Sequence, residues 1–297
     1  MRPTFKYNGL DTLNSTSLSV ASGGFSLQAD FAIIGGTGVY DAELLESPEV
    51  ETVRTPYGDV ELVSGVYKGK RIAFLPRHGR GHSVAPHRIA YRANMYALKQ
   101  LGVTQVLATS AVGSLQLDCP PGALVIVDDF LDFTKSRVGT FFDDDRVVHV
   151  DVTDPYCHRL RGVLAQTAHD LNIDVRAGGT YVCTEGPRFE SKAEIRFFQS
   201  NGGTVVGMTN VPEVVLAKEA ELCYATVCIV TNYAAGLSAL PLTHEEVIEQ
   251  MAVSIGDVRR LFFEALLRLD NSRDCRCPTA VSGNSQLTGV AGEEADA

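Results

Sequence analysis

The stretch VVGMTNVPEVVLAKEAELCYATVCIVTNYAAG, Val205 to Gly236, decides the fold. A short apolar run stops at Gly207 and Thr209, and Pro212 then stands near the start of a helical pattern, where a missing N–H does little harm. A second apolar run, YATVCIV, ends in Thr231, Asn232 and a small, flexible segment. Strand, helix, strand is the reading. The amide of Asn232 can close a turn, since Asn bonds its own backbone readily, or it can read a ligand.

The same alternation recurs outward from this unit. FAII (31–34) is a buried strand entering the tight turn GGTG, and VELVSGVY and RIAFL are strands joined at Lys68-Gly69-Lys70. RIAYRANMYALKQLG (88–102) carries Ile89, Ala93, Ala97 and Leu101 on one stripe and ends in Gly, as a helix does. QVLATS and ALVIVDDFL are strands, RLRGVLAQTAHDL is a helix, YVCT a strand and SKAEIRFFQSNGG a helix. HEEVIEQMAVSIGDVRRLFFEALLRL closes the pattern as a long helix. Helices following strands so regularly predict an α/β fold: one domain with a central mixed, mainly parallel twisted sheet flanked by helices. Its expected limits are 31–270, with flexible extensions at 1–30 and 271–297 whose polar composition builds no core.

The chain has 297 residues, 45% of them apolar, and a formal charge of −10 from 36 acidic against 26 basic side chains. That balance argues against a nucleic-acid partner, which needs a basic stripe, but not against a small anion held in a locally positive pocket. No apolar run is long enough to span a bilayer, and the N-terminus lacks the pattern of a secretory signal. Most of the seven cysteines sit in apolar surroundings and read as reduced thiols of a cytoplasmic protein. Cys275 and Cys277 lie in the polar tail, either as a redox pair or as free thiols; two ligands alone are too few for structural zinc.

Such sheets present ligand sites where strands end. The loops expected there are GGTG (35–38), RHGRGH (77–82), TSAVGS (109–114), TEGPRFE (184–190), MTNVPE (208–213) and TNYAAG (231–236). GGTG is a tight turn or an oxyanion cradle, and it lacks the third glycine of a dinucleotide fingerprint. RHGRGH is a solvated basic loop or the guanidinium and imidazole set that a phosphate dianion needs.

IIGGTG, RHGRGH, TSAVGS, EGPRFE and GMTNVPEVVLAKE, in this order over about residues 31–265, resemble the trimeric purine nucleoside phosphorylase and methylthioadenosine phosphorylase family. The resemblance implies a phosphorylase-type fold, a homotrimer or dimer of trimers, and phosphorolysis of a purine nucleoside to free base and pentose 1-phosphate. It implies no cofactor and no metal, inorganic phosphate being a co-substrate. Carried over by motif, Thr37, Arg77, His78, Ser110, Ala111 through its amide, and Thr209 would hold phosphate. Met208, Phe189, Tyr233, Ala234, His244 and His149 would line the nucleoside, with His149 reaching a neighbouring subunit's sugar.

Family members that cleave 6-aminopurines carry Asp in a TDYD strand end and Ser after the Phe of GPRFS; members that cleave 6-oxopurines carry Asn and Glu. This chain has Asn232 and Glu190, with Ala234 in place of the second Asp. A 6-oxopurine offers an N1–H that a carboxylate accepts, and O6 and N7 that an amide can serve. A 6-aminopurine would face Glu190 lone pair to lone pair. The expectation is therefore a 6-oxopurine enzyme with Asn232 and Glu190 as catalytic residues. His244 would meet a 5′-hydroxyl; if it does not, methylthioinosine or methylthioadenosine is the alternative substrate. A water-using nucleosidase and a non-catalytic purine binder are the remaining readings.

Overall fold

The computed structural model describes residues 29–36, 39, 44–79, 81, 83–143, 147–237 and 244–281. Eleven strands share one sheet: β1 (Phe31–Gly35), β2 (Glu46–Thr55), β3 (Gly58–Tyr67), β4 (Lys70–Pro76), β5 (Gln105–Ser114), β6 (Leu124–Ile126), β7 (Asp129–Phe133), β8 (Val175–Ala177), β9 (Thr180–Thr184), β10 (Gly203–Gly207) and β11 (Cys223–Tyr233). The helices are α1 (Tyr91–Gln100), α2 (His158–Asp170), α3 (Lys192–Ser200), α4 (Asn210–Glu219) and α5 (His244–Arg268). β1 pairs parallel with β4 and β5, β11 with β5, β9 with β10 and β7, and β8 with β6. Antiparallel pairing is confined to β2–β3–β4, β5–β10 and β6–β11. The sheet is mixed and mainly parallel, as its sequence pattern predicts.

β5 and β11 form its centre, and their side chains alternate between two cores. Val106, Ala108, Cys228 and Val230 join Met95 and Leu98 of α1 and Leu216 of α4 on one face. Leu107, Val227 and Ile229 join Leu160 of α2 and Phe262 and Leu266 of α5 on the other. Both faces being buried, these strands read as continuous apolar runs rather than as alternation. Each fully buried Leu or Ile side chain contributes about 1.5–3 kcal/mol to this core. No helix among the described residues is long and apolar enough to cross a membrane.

Three features differ from the sequence expectation. TSAVGS is not a loop: Thr109 to Ser114 continue β5, because their neighbours in β11 and β10 supply ladder partners. β10 runs antiparallel to β5 although β11 runs parallel to it, so the opening strand–helix–strand unit does not place its two strands side by side. Residues 271–281 belong to the body despite their polar composition. Cys277 is buried in the core under α5, the Arg273 guanidinium donates to Glu221 O at 2.7 Å, and Val281 N–H donates to the Glu221 carboxylate at 3.2 Å. The same segment brings Cys275 and Cys277 against Cys157 and Cys223, a gathering of four thiols that spacing along the chain did not reveal.

Candidate active site

Because β10 opposes β5, two groups of parallel strands run toward each other, and their C-terminal ends meet midway along β5. In that otherwise buried strand Ala111 alone is exposed. Arg77, first residue after β4, is tied through its N–H to Gly35 O at 3.1 Å, which joins it to the glycine turn after β1. Its Nε and Nη2 each donate to the Glu213 carboxylate at 2.6 Å, and Nη1 donates to Thr109 O at 2.7 Å. Burial lowers the guanidinium's pKa, but the charge and hydrogen bonds of Glu213 outweigh it and the net shift is upward. The charge is fixed, and so is its plane.

Beside it, Ser110 Oγ lies 3.0 Å from Tyr181 Oη and 3.2 Å from Thr209 Oγ1, and Tyr181 Oη accepts from Thr209 N–H at 3.3 Å. His78 Nδ1 lies 2.8 Å from the Val84 carbonyl, which can only accept; the proton therefore sits on Nδ1. Arg77 thus bonds the backbone one residue before Ser110, whose hydroxyl clusters with those of Thr209 and Tyr181, and His78 follows Arg77 in the chain. Thr37, and Arg80 and His82 of the RHGRGH motif, lie outside the described residues. His244 opens α5, and its side chain lies outside the description too.

Asn232 owes its position to a bulge. Along β11, Val230 pairs with Val112 but Asn232 pairs with Gly113, one residue being left over at Thr231. Such an insertion reverses the alternation of side chains beyond it. The Thr231 hydroxyl donates to Asn232 Oδ1 at 2.8 Å, and Asn232 Nδ2 donates to Tyr233 O at 2.9 Å, leaving a second N–H available. Gly113 admits the amide: a Cβ there would lie 3.1 Å from Asn232 Nδ2. Ala234 is buried beneath it, and the Tyr233 hydroxyl donates to Leu117 O at 3.2 Å.

Glu190 approaches the end of β10 from the other side. Its carboxylate accepts from Thr184 Oγ1 at 2.6 Å, and the same hydroxyl lies 3.4 Å from Gly207 O. Burial raises its pKa, against the lowering effect of the Thr184 hydrogen bond. A capping box starts α3 directly after it: Ser191 Oγ accepts from Glu194 N–H at 3.2 Å, and Glu194 accepts from Ser191 N–H at 2.7 Å. Glu194 also takes Arg188 bidentately at 2.7 and 2.9 Å, so the bonds bracket Phe189 and Glu190. Phe189 is 43% exposed at the mouth. Met208 packs over Gly186, where a Cβ would meet its sulfur at 2.5 Å. His149 is exposed on the 147–151 segment, whose residues alternate between exposed and half-buried.

Four residues of the site escaped sequence reading. Glu213 and Tyr181 lie inside a helix and a strand, where a buried carboxylate and a strand tyrosine carry no signal of their own. Arg137 donates to Val211 O at 2.6 Å and to Glu185 O at 2.8 Å, joining the TEGPRFE loop to the start of α4. At Gly207, a Cβ would lie 2.1 Å from Tyr181 Oη and 2.7 Å from Cζ. Gly207→Ala is therefore expected to drive the tyrosine out of its hydroxyl cluster and lower kcat/KM about 10- to 100-fold. Steady-state kinetics at varied phosphate would read the loss; unchanged kinetics would show the cluster to be dispensable. A separate cleft of about 410 Å³ is lined by Tyr57, Arg88, Tyr91, Arg92, Ser136 and Arg137 among others.

The mixed α/β sheet thus carries, at and near its strand ends, a buried guanidinium, a cluster of hydroxyls, an amide and a carboxylate. The chain belongs to the phosphorylase superfamily, whose profile matches residues 30–268. It is 56% identical over 252 residues to a Dictyoglomus turgidum protein named "Probable 6-oxopurine nucleoside phosphorylase", covering 84% of this chain and 95% of that one. It is 50% identical over 259 residues to the 6-oxopurine nucleoside phosphorylase of Pyrococcus furiosus, covering 85% and 97%. Methylthioadenosine phosphorylase from Schistosoma mansoni, solved in complex with adenine, superposes with a TM-score of 0.80 at 35% identity, covering 87% of this chain and 97% of that one.

Proposed function

We propose that the chain is a pentosyltransferase that cleaves 6-oxopurine nucleosides, inosine and guanosine, with phosphate to give the free base and ribose 1-phosphate in purine salvage. What supports this reading is that Asn232 follows a bulge against Gly113 and Glu190 bonds Thr184 near Gly207, while Arg77 bonds Thr109 O and Ser110 lies 3.2 Å from Thr209. A phosphate oxygen bonds to the anomeric carbon as the C1′–N9 bond breaks and its electron pair passes into the purine. Arg77, His78, Ser110, Thr209, the amide of Ala111 and Thr37 hold the anion below the sugar; Tyr181 positions Ser110 and Thr209. Glu190 accepts the N1–H of the base. Asn232 donates its spare N–H to N7, a bond that strengthens as the ring gains charge and so favours the transition state. Phe189 and Tyr233 flank the base with Ala234 beneath it, Met208 packs on the ribose, and no cofactor takes part.

The superposition on a methylthioadenosine phosphorylase keeps one alternative, a 5′-methylthio substrate, and His244 is the residue that would decide it. We further read the active form as a cytoplasmic homotrimer or dimer of trimers in which His149 completes a neighbour's site. Inosine, guanosine, methylthioinosine and methylthioadenosine assayed with and without phosphate test the whole reading. Phosphate-dependent cleavage of inosine and guanosine is expected. Cleavage of methylthioadenosine alone would overturn the base assignment, and full activity without phosphate would make the enzyme a nucleosidase.

A pH experiment isolates Glu190. Burial makes the folded chain bind its proton more tightly than the unfolded chain does. The stability this contributes is complete below the ordinary glutamate pKa of about 4.3 and is lost as pH rises through the higher folded value. Glu190→Gln is thus expected to melt above the wild type at neutral pH and equal to it in acid, while kcat/KM for inosine falls about 10- to 100-fold. Wild-type kcat/KM should show an acid limb displaced upward from the ordinary carboxylate range, and the variant none. Identical melting at both pH values would remove the buried carboxylate from the account.

A further inference from the structure

The sulfurs of Cys157, Cys223, Cys275 and Cys277 lie within 4.8 Å of one another. They come from three distant parts of the chain: the residue that caps α2, the first residue of β11, and the segment after α5. Three are buried and Cys275 is half-buried, and all are free thiols. The remaining cysteines, Cys119, Cys183 and Cys228, are buried as well, but none joins this group. Cys223 and Cys275 approach to 3.4 Å between sulfurs. Four thiolates at about 2.3 Å from a zinc ion form a tetrahedron with edges of about 3.8 Å. The group therefore needs only sub-ångström adjustments to enclose an ion, whereas a disulfide would draw one pair to about 2.05 Å and leave the others behind.

We infer that these four cysteines form a closed tetrahedral site for a thiolate-seeking divalent cation, Zn²⁺ by its chemistry. Four protein ligands leave no position for water or substrate, so the ion is structural. The location agrees with a structural role: Cys223 opens the eleven-residue strand Cys223–Tyr233, and Asn232 lies ~30 Å away near its other end. Cys157 stands at the N-terminus of α2, whose dipole favours a thiolate. The ion would fasten the segment after α5 to the starts of β11 and α2, alongside the bonds from Arg159 to the Asp270 carboxylate at 2.6 Å and from Arg273 to Glu221 O at 2.7 Å.

The test uses the full chain, purified with a thiol reductant and no chelator. One zinc per chain is expected by elemental analysis, and replacement by Co²⁺ should give the thiolate-to-metal charge-transfer and intense visible bands of tetrahedral cobalt. Thiols counted after denaturation with chelator and without reductant should number all seven. Cys275→Ser with Cys277→Ser should bind no metal and melt lower, with the KM for inosine unchanged. A deficit of two or four thiols without metal would show disulfides instead and overturn the proposal. So would seven thiols with neither zinc nor a cobalt spectrum, or a serine variant that keeps its metal. The cobalt spectrum of the wild type stands even if the variant does not fold, and no outcome bears on the choice of nucleoside.

Discussion

Glu213→Ala is expected to lower the stability of the chain by about 3–5 kcal/mol, the cost of leaving a buried guanidinium without its counter-charge. For a domain of this size that corresponds to a melting point about 6–20 °C lower. Glu213 is fully buried, neutralises Arg77 through two 2.6 Å bonds and accepts the Tyr224 hydroxyl at 2.6 Å as well. Its removal orphans a charge and a phenol together. Activity should fall further than stability, because the plane of Arg77 would no longer be fixed beneath the cleft. Arg77→Met combined with Glu213→Leu separates the two effects. With both charges gone and the volume refilled, much of the stability should return while phosphate affinity does not. Thermal melts and phosphate KM values for the three proteins decide the matter. A Glu213→Ala variant that melts with the wild type would mean that the pair is not dry.

The second large effect is on the choice of base. Asn232→Asp with Glu190→Ser should move the ratio of kcat/KM for inosine over adenosine toward adenosine by about two to four powers of ten, since each mismatched buried polar group costs about 1–3 kcal/mol. The single variants should fall short of half of this together. A carboxylate at 232 wants the exocyclic amine or a protonated N7, yet with Glu190 in place N1 of an aminopurine still meets a lone pair. Coupling of that kind is expected of residues facing one ligand. An unchanged ratio in the double variant would show that the base is read elsewhere.

Much of this architecture could be read from the chain. The runs that became β5 and β11 are apolar throughout because both of their faces are covered, and the helices announced themselves through stripes such as Ala93 and Ala97 of α1. β2 gave no signal. Only Val53 in ESPEVETVRT is buried, so an edge strand paired to β3 alone reads as polar loop. TSAVGS misled for the opposite reason: small and hydroxylated residues read as a turn, but tertiary pairing with β10 and β11 overrides their local preference. Among the proposed site residues, Arg77, Ser110, Thr209, Asn232 and Glu190 were legible through their motifs, and Ser110 lies 3.2 Å from Thr209. What the motifs left out are the groups that aim them: Tyr181, Glu213 and Arg137. Their types are unremarkable and their partners lie far along the chain, so only the folded contacts reveal them. The four-cysteine group was hidden in the same way.

The extra residue at Thr231 has one more implication. It sets residue 232 beyond a bulge, where the ladder resumes with Gly113, and the longer pairing of β11 with β5 from Cys223 to Val230 lies before it. On the proposed reading of Asn232, substrate preference and foldability are separable traits: one nucleobase could be exchanged for another at this point, by a lineage or by a protein engineer, without rebuilding the sheet.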